Sequence, residues 1–243
     1  MTPLAHSVLA TLFVSAIALV GIVFVFTRQP SRRTDLVLLS FAAGVLLATT
    51  FLELLPEATT LARAPGNIFV ATLVAMIGFF LLERLLHGFH VHDDEHDPTS
   101  PPYLILIGDG LHNFIDGVAI AASFAASPEL GLVTTLAVAV HEVPQELADF
   151  GILVSSGMTT RRALLLNFLS GLTAVVGAVV FFAGGVAVEP YVAWCMAATA
   201  GMFLYIASAD LIPQLHHHPT LHPWTQLPFL GGILLIAALH LLV

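Results

Sequence analysis

Residues 103–154 read YLILIGDGLHNFIDGVAIAASFAASPELGLVTTLAVAVHEVPQELADFGILV. Two apolar runs fill this stretch, Tyr103–Ala125 and Leu130–Val154. Each is longer than the about 20 residues a helix needs to cross the hydrocarbon core of a bilayer. Each also carries a knot of polar groups near its middle. The first holds Asp109, His112, Asn113 and Asp116; the second holds His141, Glu142, Gln145, Glu146 and Asp149. The runs are continuous rather than alternating, which argues for helices over barrel strands. Working outward, six more runs follow the same rule: Ser7–Phe26, Leu36–Leu55, Ile68–His87, Ala163–Val188, Tyr191–Leu211 and Trp224–Val243. Hydrophobic residues make up 58% of the 243 residues and charged ones 9%, where soluble domains carry about 25% charged residues. The expected fold is an all-α polytopic membrane protein with eight transmembrane helices, a single domain over residues 1–243.

The same composition excludes other classes. The 7 basic residues, all Arg, face 16 acidic ones, and no basic patch is large enough for nucleic acid. The lone cysteine, Cys195, excludes a disulfide scaffold and a cysteine-based zinc finger. The first span is not read as a cleaved signal peptide, because its basic residues (Arg28, Arg32, Arg33) follow it. Basic residues near span ends mark the cytoplasmic side. With the N-terminus outside, Arg28, Arg32, Arg33, Arg84, Arg161 and Arg162 face the cytoplasm and only Arg63 faces outward. Both termini are therefore expected outside, in a plasma membrane such as the inner membrane of a bacterium. Residues 88–102 then form a His- and acid-rich cytoplasmic loop, and His216–His218 lie on the same side. Such tracts read either as solvated polar loops or as weak sinks for divalent metal.

Ionisable groups inside a span are costly and point to function. Residues three or four apart share a helix face. His112 and Asp116 therefore point one way with Asn113 beside them, and His141 and Gln145 do likewise with Glu142 beside them. Facing helices would bring two imidazoles, two carboxylates and two amides to one small volume near the midplane. Imidazole suits zinc and iron, while carboxylates admit harder ions. No Arg or Lys lies inside either span to neutralise the carboxylates, so a proton or a bound cation must. Pro144 removes one helical hydrogen bond and frees the carbonyl of Val140, next to His141. Gly110 and Gly117 allow close approach of another backbone. The bland alternative is that these polar residues are hydrogen-bonding glue between helices. For Glu146 and Asp149, on other parts of the turn, protonation or a wet cavity is an equally good account.

A weak internal symmetry runs through the chain. His112-Asn-x-x-Asp116 matches His141-Glu-x-x-Gln145, and Glu53-Leu-Leu-Pro56-Glu57 matches Asp210-Leu-Ile-Pro213-Gln214. The paired spans run in opposite directions. Spans 1–3 and 6–8 are thus expected to be inverted repeats around the central pair 4 and 5, a transporter arrangement with its site at the midplane.

At these residues the chain resembles the ZIP (Zrt/Irt-like) family of divalent-metal transporters. HNFIDG in span 4 and HEVPQELADF in span 5 carry the resemblance, the latter similar to the HExPHExGD signature of one branch. FLELLPEA at the end of span 2 and the His-rich loop extend it over nearly the whole chain. The resemblance implies import of a divalent ion, zinc first and iron, manganese or cadmium as relatives, with no organic cofactor. It also implies a homodimer in lipid and a site, capable of holding two ions, made by spans 4 and 5. By position it assigns His112, Asn113, Asp116, His141, Glu142 and Gln145 as ligands, with Glu146 beside them. Asn167 and Glu53 fall near the family's secondary ligands. The signature's second His is Gln145 here and its Gly is Ala148. An amide oxygen binds zinc more weakly than imidazole and does not titrate.

An intramembrane zinc metalloprotease is the main alternative. Its His-Glu-x-x-His motif would need a second His where Gln145 stands. A membrane oxidase with His boxes leaves the midplane ligands unexplained. The expected protein is a transporter, not an enzyme. The ion is expected to pass Glu53 and Glu57, bind at the midplane, and leave by Asp210, His216–His218 and the loop. Histidine must be neutral to bind metal, so uptake should fall below about pH 6.5. Constant flux across that range would count against histidine ligation.

Overall fold

The structure is a computed structural model and describes residues 2–20, 32–88, 102–155, 157–184, 191–216 and 223–242. Among them the regular elements are all helical. Helix α1 (Pro3–Ser15) runs on as a 3-10 segment, Ala16–Val20. Helix α2 (Arg32–Thr49) passes through a π-helical segment, Thr50–Leu54, into α3 (Leu55–Leu61). Then come α4 (Pro65–Gly88), α5 (Pro102–Ala126) and α6 (Pro128–Ser155). A break at Leu172 divides α7 (Thr160–Gly171) from α8 (Thr173–Ala183). Helix α9 (Val192–Tyr205) passes through a second π-helical segment, Ile206–Leu211, into α10 (Ile212–His216). Helix α11 (Pro223–Leu242) ends the described chain. Most of the acidic loop (residues 89–101), His217 and His218, and Arg28 lie outside the described residues.

Four stretches are long and apolar enough to cross a membrane by length and composition: Leu36–Leu61, Pro65–Leu82, Thr160–Ala183 and Val192–Ala209. Pro3–Leu19 and Gln226–Leu241 are shorter apolar helices. The chain is thus an all-α membrane protein. Helices α5 and α6 are not among the four, although they are 25 and 28 residues long. Both carry buried polar residues, Asp109, Asn113 and Asp116 in α5 and His141, Glu142 and Glu146 in α6.

Proline explains the two π-helical segments. Pro56 and Pro213 lack an N–H, and their rings crowd the carbonyls of Leu52 and Ala209 four residues earlier. Both carbonyls lie inside a π segment, where the wider turn relieves the clash. Helix α6, by contrast, keeps its helical path past Pro144.

Glycine sets the helix crossings. A Cβ on Gly117 would overlap the Ala174 carbonyl of α8, and one on Gly177 would overlap the Phe114 carbonyl of α5. Gly110 does not have this role, since a Cβ there would meet Thr173 and Ser170 at ordinary distance. Gly44 abuts the Phe229 carbonyl and Gly232 the Phe41 carbonyl, joining α2 to α11. Gly201 does the same for α9 against Thr72 of α4. Backbones this close gain dispersion contacts that lipid tails do not outcompete. Buried hydroxyls bond back within the protein. Ser15 Oγ lies 2.8 Å from the Thr11 carbonyl and 2.7 Å from that of Gly171, tying α1 to α7. The outcome is a core in which α1, α2, α8 and α9 surround α5 and α6.

Candidate metal centre

Helix α5 presents His112 and Asp116 one turn apart, and α6 presents His141 and Glu142. Asp116, His141 and Glu142 are almost fully buried, while the His112 side chain keeps 17% of its exposure. Four atoms converge. His112 Nε2 and His141 Nε2 are 3.2 Å apart. Asp116 Oδ2 lies 3.6 Å from the first and 3.3 Å from the second. Glu142 Oε1 lies 3.6 and 3.5 Å from the same two atoms. Ligand bonds of 2.0–2.2 Å around a tetrahedral zinc put neighbouring ligand atoms about 3.3–3.5 Å apart. Five of the six edges here measure 3.2–3.6 Å, within about 0.1 Å of that range. The four ligand atoms already stand close enough to share one ion.

Neighbouring groups orient these ligands. His141 Nδ1 is 3.1 Å from the Ala137 carbonyl, which can only accept. The proton therefore sits on Nδ1 and the Nε2 lone pair faces the cluster. Phe203 packs against the His141 ring, 5.7 Å between centroids. All four oxygens of Asp116 and Glu142 are buried without a hydrogen bond. Two buried carboxylates lacking any donor are costly. A cation between them and the imidazoles would remove that cost.

A second group adjoins the first. Asp109, Glu142 and Glu146 each offer a carboxylate oxygen within 4.8 Å of the others, all buried. Asn113 Nδ2 donates to Asp109 Oδ1 at 2.9 Å, and Ser170 Oγ donates to Asp109 Oδ2. Asn167 Nδ2 donates to the Glu146 carboxylate and, at 3.3 Å, to its backbone carbonyl. Each amide thereby turns its Oδ1 away, and both Oδ1 atoms are buried and unpartnered. Glu142 belongs to both groups, as a carboxylate bridging two cations would.

Eight of the nine residues singled out in the sequence lie in or beside these groups. His112, Asp116, His141 and Glu142 form the first; Glu146, Asn113 and Asn167 belong to or line the second. Gln145 interacts with the Asp109 carboxylate. Glu53 joins neither group and pairs with His240, 3.1 Å from Nδ1 to Oε1. Two residues were missed. Asp109 was visible in span 4 but not counted as a ligand, although 109, 113 and 116 share one helix face. Ser170, three residues after Asn167, gave no sign in sequence. Asp210 lies in the second π segment.

The profile of the family described as ZIP Zinc transporter matches residues 1–103 and 102–240. The chain belongs to the ZIP family. The resemblance seen in HNFIDG and HEVPQELADF is thereby membership, in a family of transporters rather than enzymes. Over 146 residues the chain is 44% identical to Zinc transporter ZIP4 of Mus musculus, covering 57% of this chain and 22% of that protein. It is 43% identical over 119 residues to Zinc transporter ZIP10 of Danio rerio, 49% of this chain and 14% of that one. Zinc transporter ZIP6 of Pongo abelii is 42% identical over 116 residues, 48% and 16% of the two chains. The chain thus spans about a fifth or less of the length of these relatives.

Proposed function

We propose that this protein carries zinc, or a related divalent ion such as iron(II), manganese or cadmium, into the cytoplasm through the site on α5 and α6. One observation carries the reading. Two imidazole nitrogens and two carboxylate oxygens, from adjacent buried helices, stand at the edge lengths of a tetrahedral zinc site. They do so in a member of the ZIP family.

The steps follow from the side chains. A hydrated ion exchanges its waters for His112, Asp116, His141 and Glu142. Glu142, shared with Asp109 and Glu146, offers the ion a second position without full release. Asn113 and Asn167 hold the Asp109 and Glu146 carboxylates in place there through their Nδ2 groups, and each such bond draws charge from an oxygen that would otherwise grip the ion more tightly. One half of the molecule then moves against the other and exposes the ion inward.

The architecture in this reading is eight membrane helices with spans 1–3 and 6–8 as inverted repeats. Several features support it. The π segments before Pro56 and Pro213 fall at matched places. Gly44 and Gly201, each nine residues before the matched acid (Glu53 or Asp210), both sit at helix crossings. Exchanging the halves turns the α2/α11 pair into α9/α4, and α5/α8 into α6/α1; all four pairs pack together. The protein is read as one transport domain over residues 1–243, a homodimer in the lipid of a plasma membrane such as a bacterial inner membrane, with both termini outside.

Radioactive zinc uptake into liposomes holding the purified protein tests the reading, with manganese, iron(II) and cadmium as competitors. Saturable uptake that these ions compete for is expected. No uptake across the panel, with metal still tightly held after purification, would favour a metalloenzyme or a sensor.

A further inference from the structure

The Glu53–His240 pair lies apart from both midplane groups and is not explained by them. His240 is in the last turn of α11, and Glu53 is in the π-helical segment of α2. The two helices run alongside each other through the Gly44 and Gly232 crossing, so both residues fall at the same end of the pair. His240 Nδ1 and Glu53 Oε1 are 3.1 Å apart, with side chains 49% and 14% exposed. The imidazole is thus reachable from outside the protein while the carboxylate is mostly covered.

We propose that His240 and Glu53 form a separate binding site for a divalent cation of the zinc class. Two ligand atoms on a tetrahedral zinc lie about 3.3 Å apart, close to the separation found. Glu57, one turn beyond Glu53, adds its negative charge to the same place. One turn before Glu53, along the same strip of α2, Thr49 is fully buried and its hydroxyl oxygen has no hydrogen-bond partner. The strip therefore runs from half-buried carboxylate to imidazole–carboxylate pair to unpartnered buried oxygen. With two protein ligands and water filling the rest, the site releases its ion readily, unlike the four-ligand midplane cluster. Its use as a place of capture rests on the transport reading; its ability to bind metal does not.

Equilibrium dialysis of the full-length protein in detergent against radioactive zinc tests the site. The background variant is His112→Ala with Glu142→Ala, because Glu142 serves both midplane groups. That variant should retain weak, saturable zinc binding, one equivalent of which depends on His240 and Glu53. His240→Ala or Glu53→Gln added to it should abolish that equivalent, and His240→Asp, which keeps a ligand atom, should preserve it. In the otherwise native protein His240→Ala should leave midplane binding in place, which shows that the variant folds. Absence of residual binding in the background variant would overturn the proposal. So would residual binding that His240→Ala leaves unchanged. Transport failing in liposomes while this binding persists would refute the transport reading alone.

Discussion

Ser170 touches no proposed cation, yet its hydroxyl fixes one oxygen of Asp109 while Asn113 fixes the other. Supporting groups of this kind change metal affinity by about 10–100-fold when removed. Ser170→Ala should therefore weaken zinc binding by about tenfold, read by titrating the purified protein, with unchanged affinity contradicting the Asp109 role. Gln145→His should tighten zinc binding, because imidazole is a better zinc ligand than an amide oxygen. An unchanged affinity would mean that Gln145 does not reach the ion. At this scale the sequence was readable wherever helix spacing decided the outcome. His112 and Asp116, four apart, share a face, and His141 and Glu142 met them. Asp109 needed knowledge of which neighbour faced its side of α5, and Ser170 needed α7 to pack there. The partner of Glu53 lies 187 residues away, beyond any local pattern.

Helix crossings set the precision of the cluster, and glycine sets the crossings. Gly117→Ala or Gly177→Ala should drive a Cβ into a backbone carbonyl across the α5/α8 contact. Overpacking of this sort costs about 1–3 kcal/mol and should lower the thermal midpoint in detergent. Gly78→Ala is the control: nothing lies within 4 Å of its added Cβ, so the midpoint should hold or rise. Equal effects from all three would mean that the crossings are not glycine-limited. The matched Glu-x-x-Pro and Asp-x-x-Pro stretches were readable as punctuation. Their π-helical widening was not, because it depends on which hydrogen bonds the turn gives up. The paired α5 and α6 were readable as long helices from their continuous apolar runs.

For the molecule as a whole, we infer from the arginine asymmetry that both ends lie outside and the 88–102 loop inside. With Cys195 replaced by Ala, a cysteine at Thr2 should react with an impermeant reagent in right-side-out vesicles, and one at Ser100 should not. The reverse labelling would invert the direction of transport in this account. Membrane class and family were legible from composition and from two motifs. The near-tetrahedral set of ligand atoms was not, since it arises only when α5 and α6 pack in register. That set is the central claim, and zinc flux into liposomes by the native protein and by Asp116→Ala, measured side by side, tests it most directly. The account predicts saturable flux for the native protein and loss of that flux in the variant, with folding checked by the thermal midpoint. Native-like flux through Asp116→Ala would contradict it.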